Sequence, residues 1–161
     1  MAVGLVLLIG LPGSGKSAWA AEALARAERP TVVVSTDALV EAQARGAGVS
    51  YREAWAAADG RRLERDARAA VRASVEAGCN VIVDRTNLKR ATRARFLRLA
   101  PPGWRREAVL FAPPWPLLCD RLAARAASGG KRVPCGVVLA MAAGYEAPGE
   151  GEFDRLILHS G

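Results

Sequence analysis

Gly10-Leu11-Pro12-Gly13-Ser14-Gly15-Lys16-Ser17 carries the pattern G-x-x-x-x-G-K-S, and the reading of the whole chain turns on it. The apolar run Val3 to Ile9 (VGLVLLI) precedes it and suits one buried strand. Ala18-Trp19-Ala20-Ala21-Glu22-Ala23-Leu24-Ala25 follows it and is rich in helix formers. Strand, glycine-rich turn and helix, in that order, make a phosphate cradle. The glycines relax the backbone and leave room for phosphate oxygens. Backbone N–H groups converge at the helix N-terminus, whose partial positive charge favours an anion. In such a loop Lys16 reaches the β- and γ-phosphates of a nucleoside triphosphate, and Ser17 binds Mg²⁺. The alternative is a glycine-rich αβ turn with no ligand; the Lys-Ser pair and the two flanks argue against it.

The rest of the composition narrows the class. With 161 residues, 51% of them apolar, the chain is long enough for one domain with its own core. Its longest apolar runs have strand length, so neither a signal peptide nor a membrane span is expected, and the expected location is the cytoplasm. Cys79, Cys119 and Cys135 lack C-x-x-C spacing and are read as buried, reduced thiols. His159 is the only histidine, which argues against histidine acid–base catalysis or a multi-histidine metal site. The net charge of +7 suits phosphate-rich partners, although an arginine-rich composition can also follow from genome base usage.

Strands and helices alternate downstream. Thr31 to Ser35 reads as a second strand, followed by a short helix from Ala38 to about Arg45. Ser50-Tyr51-Arg52-Glu53 fits a capping box opening one longer helix that Gly78 ends. Asn80 to Asp84 is the third strand, Lys89 to Leu99 a basic helix, and Arg106 to Phe111 the fourth strand. A helix runs to about Ala127, with Trp115, Leu118 and Leu122 facing the core. After the basic loop Ser128 to Arg132, another helix starts with Pro134 in its first turn, and Phe153 to Leu158 is the last strand. This alternation predicts an α/β fold of three α/β/α layers: a five-stranded parallel sheet and a small helical lid at about 116–134, all in one domain spanning 1–161. Ligands then bind at the carboxyl ends of the strands.

Those ends hold the candidate chemistry. Asp37, just past the second strand, can take a proton from an acceptor hydroxyl or can cap the following helix. Asp84 closes the Walker-B-like Val81-Ile82-Val83-Asp84 and can hold Mg²⁺ or orient Ser17. Arg121 and Arg125 share a helix face at i,i+4 spacing, as lid arginines reaching the γ-phosphate or as a solvated basic face. Arg61, Arg65, Arg68 and Arg72 form one basic stripe, and Lys89, Arg90 and Arg93 a cluster, either of which could track a phosphate backbone.

With these residues in view, the chain resembles the kinase module of the polynucleotide 5′-hydroxyl kinases, within the small P-loop kinases. Gly10 to Ser17 matches that family's G-x-P-G-S-G-K-S. Val81 to Asn87 resembles its strand ending in D-x-T-N; Pro114-Trp115 through Arg121 and Arg125 to Val133-Pro134 resembles its lid helix. Tyr145-Glu146-Ala147-Pro148 with Glu152-Phe153-Asp154 resembles its closing segment. The resemblance implies ATP as phosphate donor with Mg²⁺, and Asp37 as general base. It implies Lys16, Arg121 and Arg125 as phosphate-stabilising cations, and Arg85, Thr86 and Asn87 near the acceptor's phosphate. The implied reaction is transfer of the γ-phosphate to the 5′-OH of a DNA or RNA strand. One departure stands out: Val40 occupies the place of an arginine that helps hold the acceptor, with Arg45 or Arg85 as replacements. Val40 and the short chain favour the alternative of a nucleoside, sugar or antibiotic kinase. A nucleotide-dependent switch with slow ATP hydrolysis is the third reading, and it needs no acceptor base.

Overall fold

The computed structural model describes residues 4–128 and 131–159. Val3, assigned above to the first strand, and Gly129 and Gly130 of the basic loop lie outside them. Strands β1 (Gly4–Ile9), β2 (Thr31–Ser35), β3 (Asn80–Asp84), β4 (Arg105–Phe111) and β5 (Arg155–His159) form one sheet in the order β2-β3-β1-β4-β5. Every neighbouring pair is parallel. The helices are α1 (Lys16–Ala25), α2 (Thr36–Ala47), α3 (Tyr51–Ala57), α4 (Gly60–Glu76), α5 (Arg90–Leu97), α6 (Trp115–Ala127) and α7 (Cys135–Ala143).

The period-2 alternation of the strands sorts their side chains between two cores. Leu5, Leu7, Val34, Val81 and Val83 pack with Ala67 and Val71 of α4 and Phe96 and Leu97 of α5. Leu8, Ile82, Val109 and Phe111 pack on the other face with Ala20 of α1. A sheet covered on both faces by helices is the three-layer α/β/α arrangement the alternation predicts. Register then positions the chemistry: Leu8 and Ser35 both sit beside Asp84 across the parallel ladders. The carboxyl ends of β1, β2 and β3 are therefore level. Central β1 has β3 on one side and β4 on the other, and a crevice opens where the connections diverge.

Several local expectations change. The long helix expected from Ser50 is two helices, because Asp59 leaves the helical conformation (φ −82°, ψ 116°) and caps α4 by accepting from the Arg61 N–H at 2.9 Å. The Ser50–Glu53 box forms at the start of α3. Gly78 follows α4 with φ 71°, and the Gly78 and Cys79 N–H groups return to the Val75 and Ser74 carbonyls in a Schellman arrangement. Helix α2 starts earlier than expected, capped by Ser35, whose Oγ accepts from the Ala38 N–H at 3.4 Å. Asp37 is thereby released from the capping role and lies in the first turn. Trp115 is 40% exposed and not a core residue, whereas Leu118 is buried. Pro134 precedes α7 as its cap residue, outside the first turn. The cysteines are free, but Cys79 and Cys119 are only half-buried and Cys135 is exposed.

The basic cluster Lys89, Arg90 and Arg93 is likewise no open phosphate track. Arg93 is fully buried and grips the Glu152 carboxylate with two bonds, Nε at 2.6 Å and Nη2 at 3.0 Å. Its Nη1 donates to the Asn87, Leu88 and Glu146 carbonyls. Lys89 and Arg90 lean on Glu146 and Glu152. Burial pushes the Glu152 carboxyl up, but Arg93 and the Gly149 N–H more than offset this and hold it below the usual range. The stabilisation is present at neutral pH and is lost as pH falls through that lowered value. Arg93→Met takes both short guanidinium bonds from a mostly buried carboxylate, leaving it the Gly149 N–H and the more distant Arg90, and costs about 3–5 kcal/mol. A thermal melt reads this as a drop in Tm of roughly 6–20 °C.

Candidate active site

The turn from β1 into α1 is shaped by two glycines in left-handed conformations, Gly13 (φ 82°) and Gly15 (φ 100°). A side-chain carbon on Gly13 would stand 3.0 Å from Leu122 of α6, so the loop and α6 approach closely only because Gly13 has none. The Gly10 N–H donates to the Thr86 carbonyl at 3.0 Å, tying the start of the loop to the turn that follows β3. The Lys16 ammonium is folded back on the loop's own oxygens, with Gly10 O at 3.0 Å, Leu11 O at 2.7 Å and Ser14 Oγ at 3.3 Å. Burial pulls its pKa down to about 8, although the Asp84 and Asp37 carboxylates act to keep it charged. Across the ladder, the Ser17 hydroxyl donates to Asp84 Oδ2 at 2.7 Å. A serine oxygen and a carboxylate oxygen side by side are hard donors. They fit Mg²⁺, which takes few protein ligands and completes its shell with water and phosphate. No cluster of three or more acidic, histidine or cysteine side chains suited to a metal occurs among the described residues, consistent with so sparse a set.

Loop, β2 end and β3 end face one cavity of about 400 Å³. Lys16, Ser17 and Asp84 line it, and Asp37 lines it from the β2 side. Asp37 Oδ1 accepts from Lys131 Nζ at 2.9 Å and from the Tyr51 hydroxyl at 3.0 Å. Desolvation raises the Asp37 pKa, but those bonds and the Lys131 charge outweigh it, so the carboxyl sits below its usual range and is ionised at neutral pH. Burial, together with the same carboxylate, pushes the Tyr51 phenol up and keeps it protonated as a donor.

Arg121 and Arg125 of α6 and Arg85 and Thr86 after β3 complete the wall. Arg121 Nη1 lies 3.6 Å from where a Gly15 side-chain carbon would sit. Arg121 Nη1 and Arg85 Nη1 are both buried and have no hydrogen-bond partner among the described residues. Such donors are costly unless an anion meets them. The Arg85 guanidinium lies 5.4 Å from the Phe96 ring centroid, and burial lowers its pKa. Asn87 stands behind the wall. Its φ is 46°, and its amide donates to the Leu8, Val83 and Arg85 carbonyls, holding the ends of β1 and β3 together. Val40 is fully buried, and Arg45 is exposed and does not line the cavity. None of Arg61, Arg65, Arg68 and Arg72 lines it either.

Among the residues that sequence reading did not assign to the site, Tyr51, Trp55 and Lys131 are those that surround Asp37. The first two are four apart on α3, Tyr51 immediately following the N-cap Ser50, a spacing that places them on one face.

A phosphate loop paired with a serine–aspartate set, at the carboxyl edge of a β2-β3-β1-β4-β5 parallel sheet, defines a P-loop kinase-like nucleotide site. The chain belongs to the AAA domain family AAA_33, whose model matches residues 5–148. Among solved structures it is similar to a gluconokinase from Sinorhizobium meliloti: identity is 21%, 98% of this chain and 82% of that one are covered, and the TM-score is 0.64. Chaetomium thermophilum Kti12 in complex with ADP-AlF3 is similar at 20% identity, with 97% and 88% covered and a TM-score of 0.68. A chain of the Pnkp1/Rnl/Hen1 RNA repair complex is similar at 24% identity, with 89% and 44% covered and a TM-score of 0.70. At these identities the likeness is one of fold. No helix among the described residues is long and apolar enough to cross a membrane.

Proposed function

We propose that the protein transfers the γ-phosphate of ATP to a hydroxyl, and that the acceptor is the 5′-OH of a DNA or RNA strand. The observation that carries the reading is Asp37: an ionised carboxylate on the wall of the same cavity as Lys16, Ser17 and Asp84. A nucleotide switch needs no such group. In the transfer, the acceptor oxygen bonds to the γ-phosphorus, the bond from that phosphorus to the β–γ bridging oxygen breaks, and ADP leaves. The acceptor proton passes to Asp37 Oδ. Because the transition state is loose, the proton moves late, and a carboxylate of low pKa serves chiefly by orienting the hydroxyl. Mg²⁺, held by Ser17 and Asp84, would neutralise phosphate charge. Lys16, Arg121 and Arg125 do the same from the loop and α6.

Support for a strand end comes from the wall's composition. Once Lys16, Arg121 and Arg125 are assigned to the donor, Arg85 and Lys131 are left for an anion on the acceptor. The neutral hydroxyls on the cavity wall are those of Ser17, Ser35, Thr36 and Thr86, whereas Lys16, Arg85, Arg121, Arg125 and Lys131 bring five cations to it, a balance that suits an anionic acceptor. A second hollow of about 300 Å³ shares Arg85, Thr86 and Met141 with the first and runs on to Lys89 and Thr92, giving a longer acceptor room. The buried Val40 cannot supply the missing cation, and Arg85 takes that part.

Incubation with γ-labelled ATP and a panel of 5′-OH oligonucleotides, nucleosides and sugars tests the assignment. Label on oligonucleotide ends supports it. Label on a small molecule moves the acceptor to that class, and release of free phosphate alone leaves a switch. Arg85→Ala should raise the acceptor KM about 10- to 100-fold, the worth of a charge-assisted bond, without weakening ADP binding.

A further inference from the structure

Tyr51 and Trp55 present neighbouring rings, with centroids 6.1 Å apart and planes 19° from parallel. Lys131 Nζ lies over them, 3.6 Å from the Trp55 centroid and 5.9 Å from that of Tyr51. The same ammonium holds Asp37 at 2.9 Å, and the Tyr51 hydroxyl reaches that carboxylate too. Trp55 is 40% exposed, belongs to neither core cluster and lines the cavity. Neither ring is among the groups assigned above to the donor's phosphates. An indole kept out of the core beside the proposed base, with a long, flexible side chain lying over its face, is a platform.

We propose that the paired rings of Tyr51 and Trp55 form the subsite for the terminal nucleobase of the acceptor, on the face that Lys131 covers in its absence. This rests on the strand-end reading above. Tyr51 fixes the geometry, since one side chain supplies both part of the platform and a bond to Asp37. A base on the rings therefore sets its own sugar's hydroxyl at the carboxylate. Displaced from the rings, Lys131 still carries a charge suited to the neighbouring phosphate. Stacking accepts any base, so the subsite selects for a base without selecting which.

The test compares a 5′-OH oligonucleotide with the same strand carrying an abasic terminal residue. For the wild-type enzyme, loss of the base should raise KM about tenfold or more. Trp55→Ala should raise KM similarly for the intact strand and leave the abasic strand unaffected, while Trp55→Phe, which keeps a ring, restores most of the affinity. Equal KM for the two strands in the wild type overturns the subsite alone, as does a Trp55→Ala penalty of the same size on both. A wild-type enzyme that labels no oligonucleotide overturns the strand-end reading and the subsite with it. The wild-type comparison decides even if Trp55→Ala folds poorly.

Discussion

Asparagine in place of Asp37 should lower kcat about 100- to 10,000-fold while ADP still binds. The substitution keeps the size of the side chain and removes the charge proposed to orient an acceptor hydroxyl. It also strips Lys131 and Tyr51 of their shared carboxylate. Single-turnover transfer from labelled ATP, alongside ADP titration, separates the two effects. Near-normal transfer by the asparagine variant would remove Asp37 from the mechanism. The wild-type pH profile provides a second check. Lys131 and Tyr51 hold the Asp37 pKa below the usual carboxylate range, so the active, ionised form persists to unusually low pH. The acidic limb of kcat/KM should therefore lie below that of an ordinary aspartate. Lys131→Met should shift it upward, because desolvation is then less opposed.

Lys16→Met should weaken nucleotide binding about 10- to 100-fold and lower turnover about 100- to 1,000-fold. The lysine is already desolvated, so its charge meets phosphate at little further cost. Its pKa near 8 gives the prediction a pH signature. Above that value the free enzyme increasingly carries a neutral amine, and ADP affinity should fall as pH rises through about 8. The methionine variant should lose this dependence. Unchanged affinity and rate in the variant would count against the loop as a phosphate cradle.

The fold was legible because its signals are local. Alternation of apolar and polar residues is absent from so short a strand as Val32-Val33-Val34, yet β-branched runs between helix formers still mark buried parallel strands. Gly10 to Ser17 marks where such a sheet opens. Asp37 and Asp84 were legible as strand-end carboxylates. What the sequence left open was settled by contacts between distant residues. Whether Asp37 caps a helix depended on Ser35 taking that role two positions earlier. Arg93 reads as one more cation on a basic helix, and only the approach of Glu152, distant in the chain, turns it inward. The Tyr51–Trp55 pair looks like an ordinary helix face until Lys131 is brought across from the segment before α7.

The Arg93–Glu152 grip also gives the site an order of assembly. Arg93 ties Glu146 and Glu152 to the carbonyls of Asn87 and Leu88, immediately behind the Arg85–Thr86 wall. During synthesis from the N-terminus, the phosphate loop and its partner Asp84 are complete long before Glu152 emerges. The segment behind the wall waits for a brace from near the end of the described chain. The phosphate loop and Asp84 can thus take shape early, whereas the Arg85–Thr86 wall of the proposed acceptor side is braced last, by residues behind it.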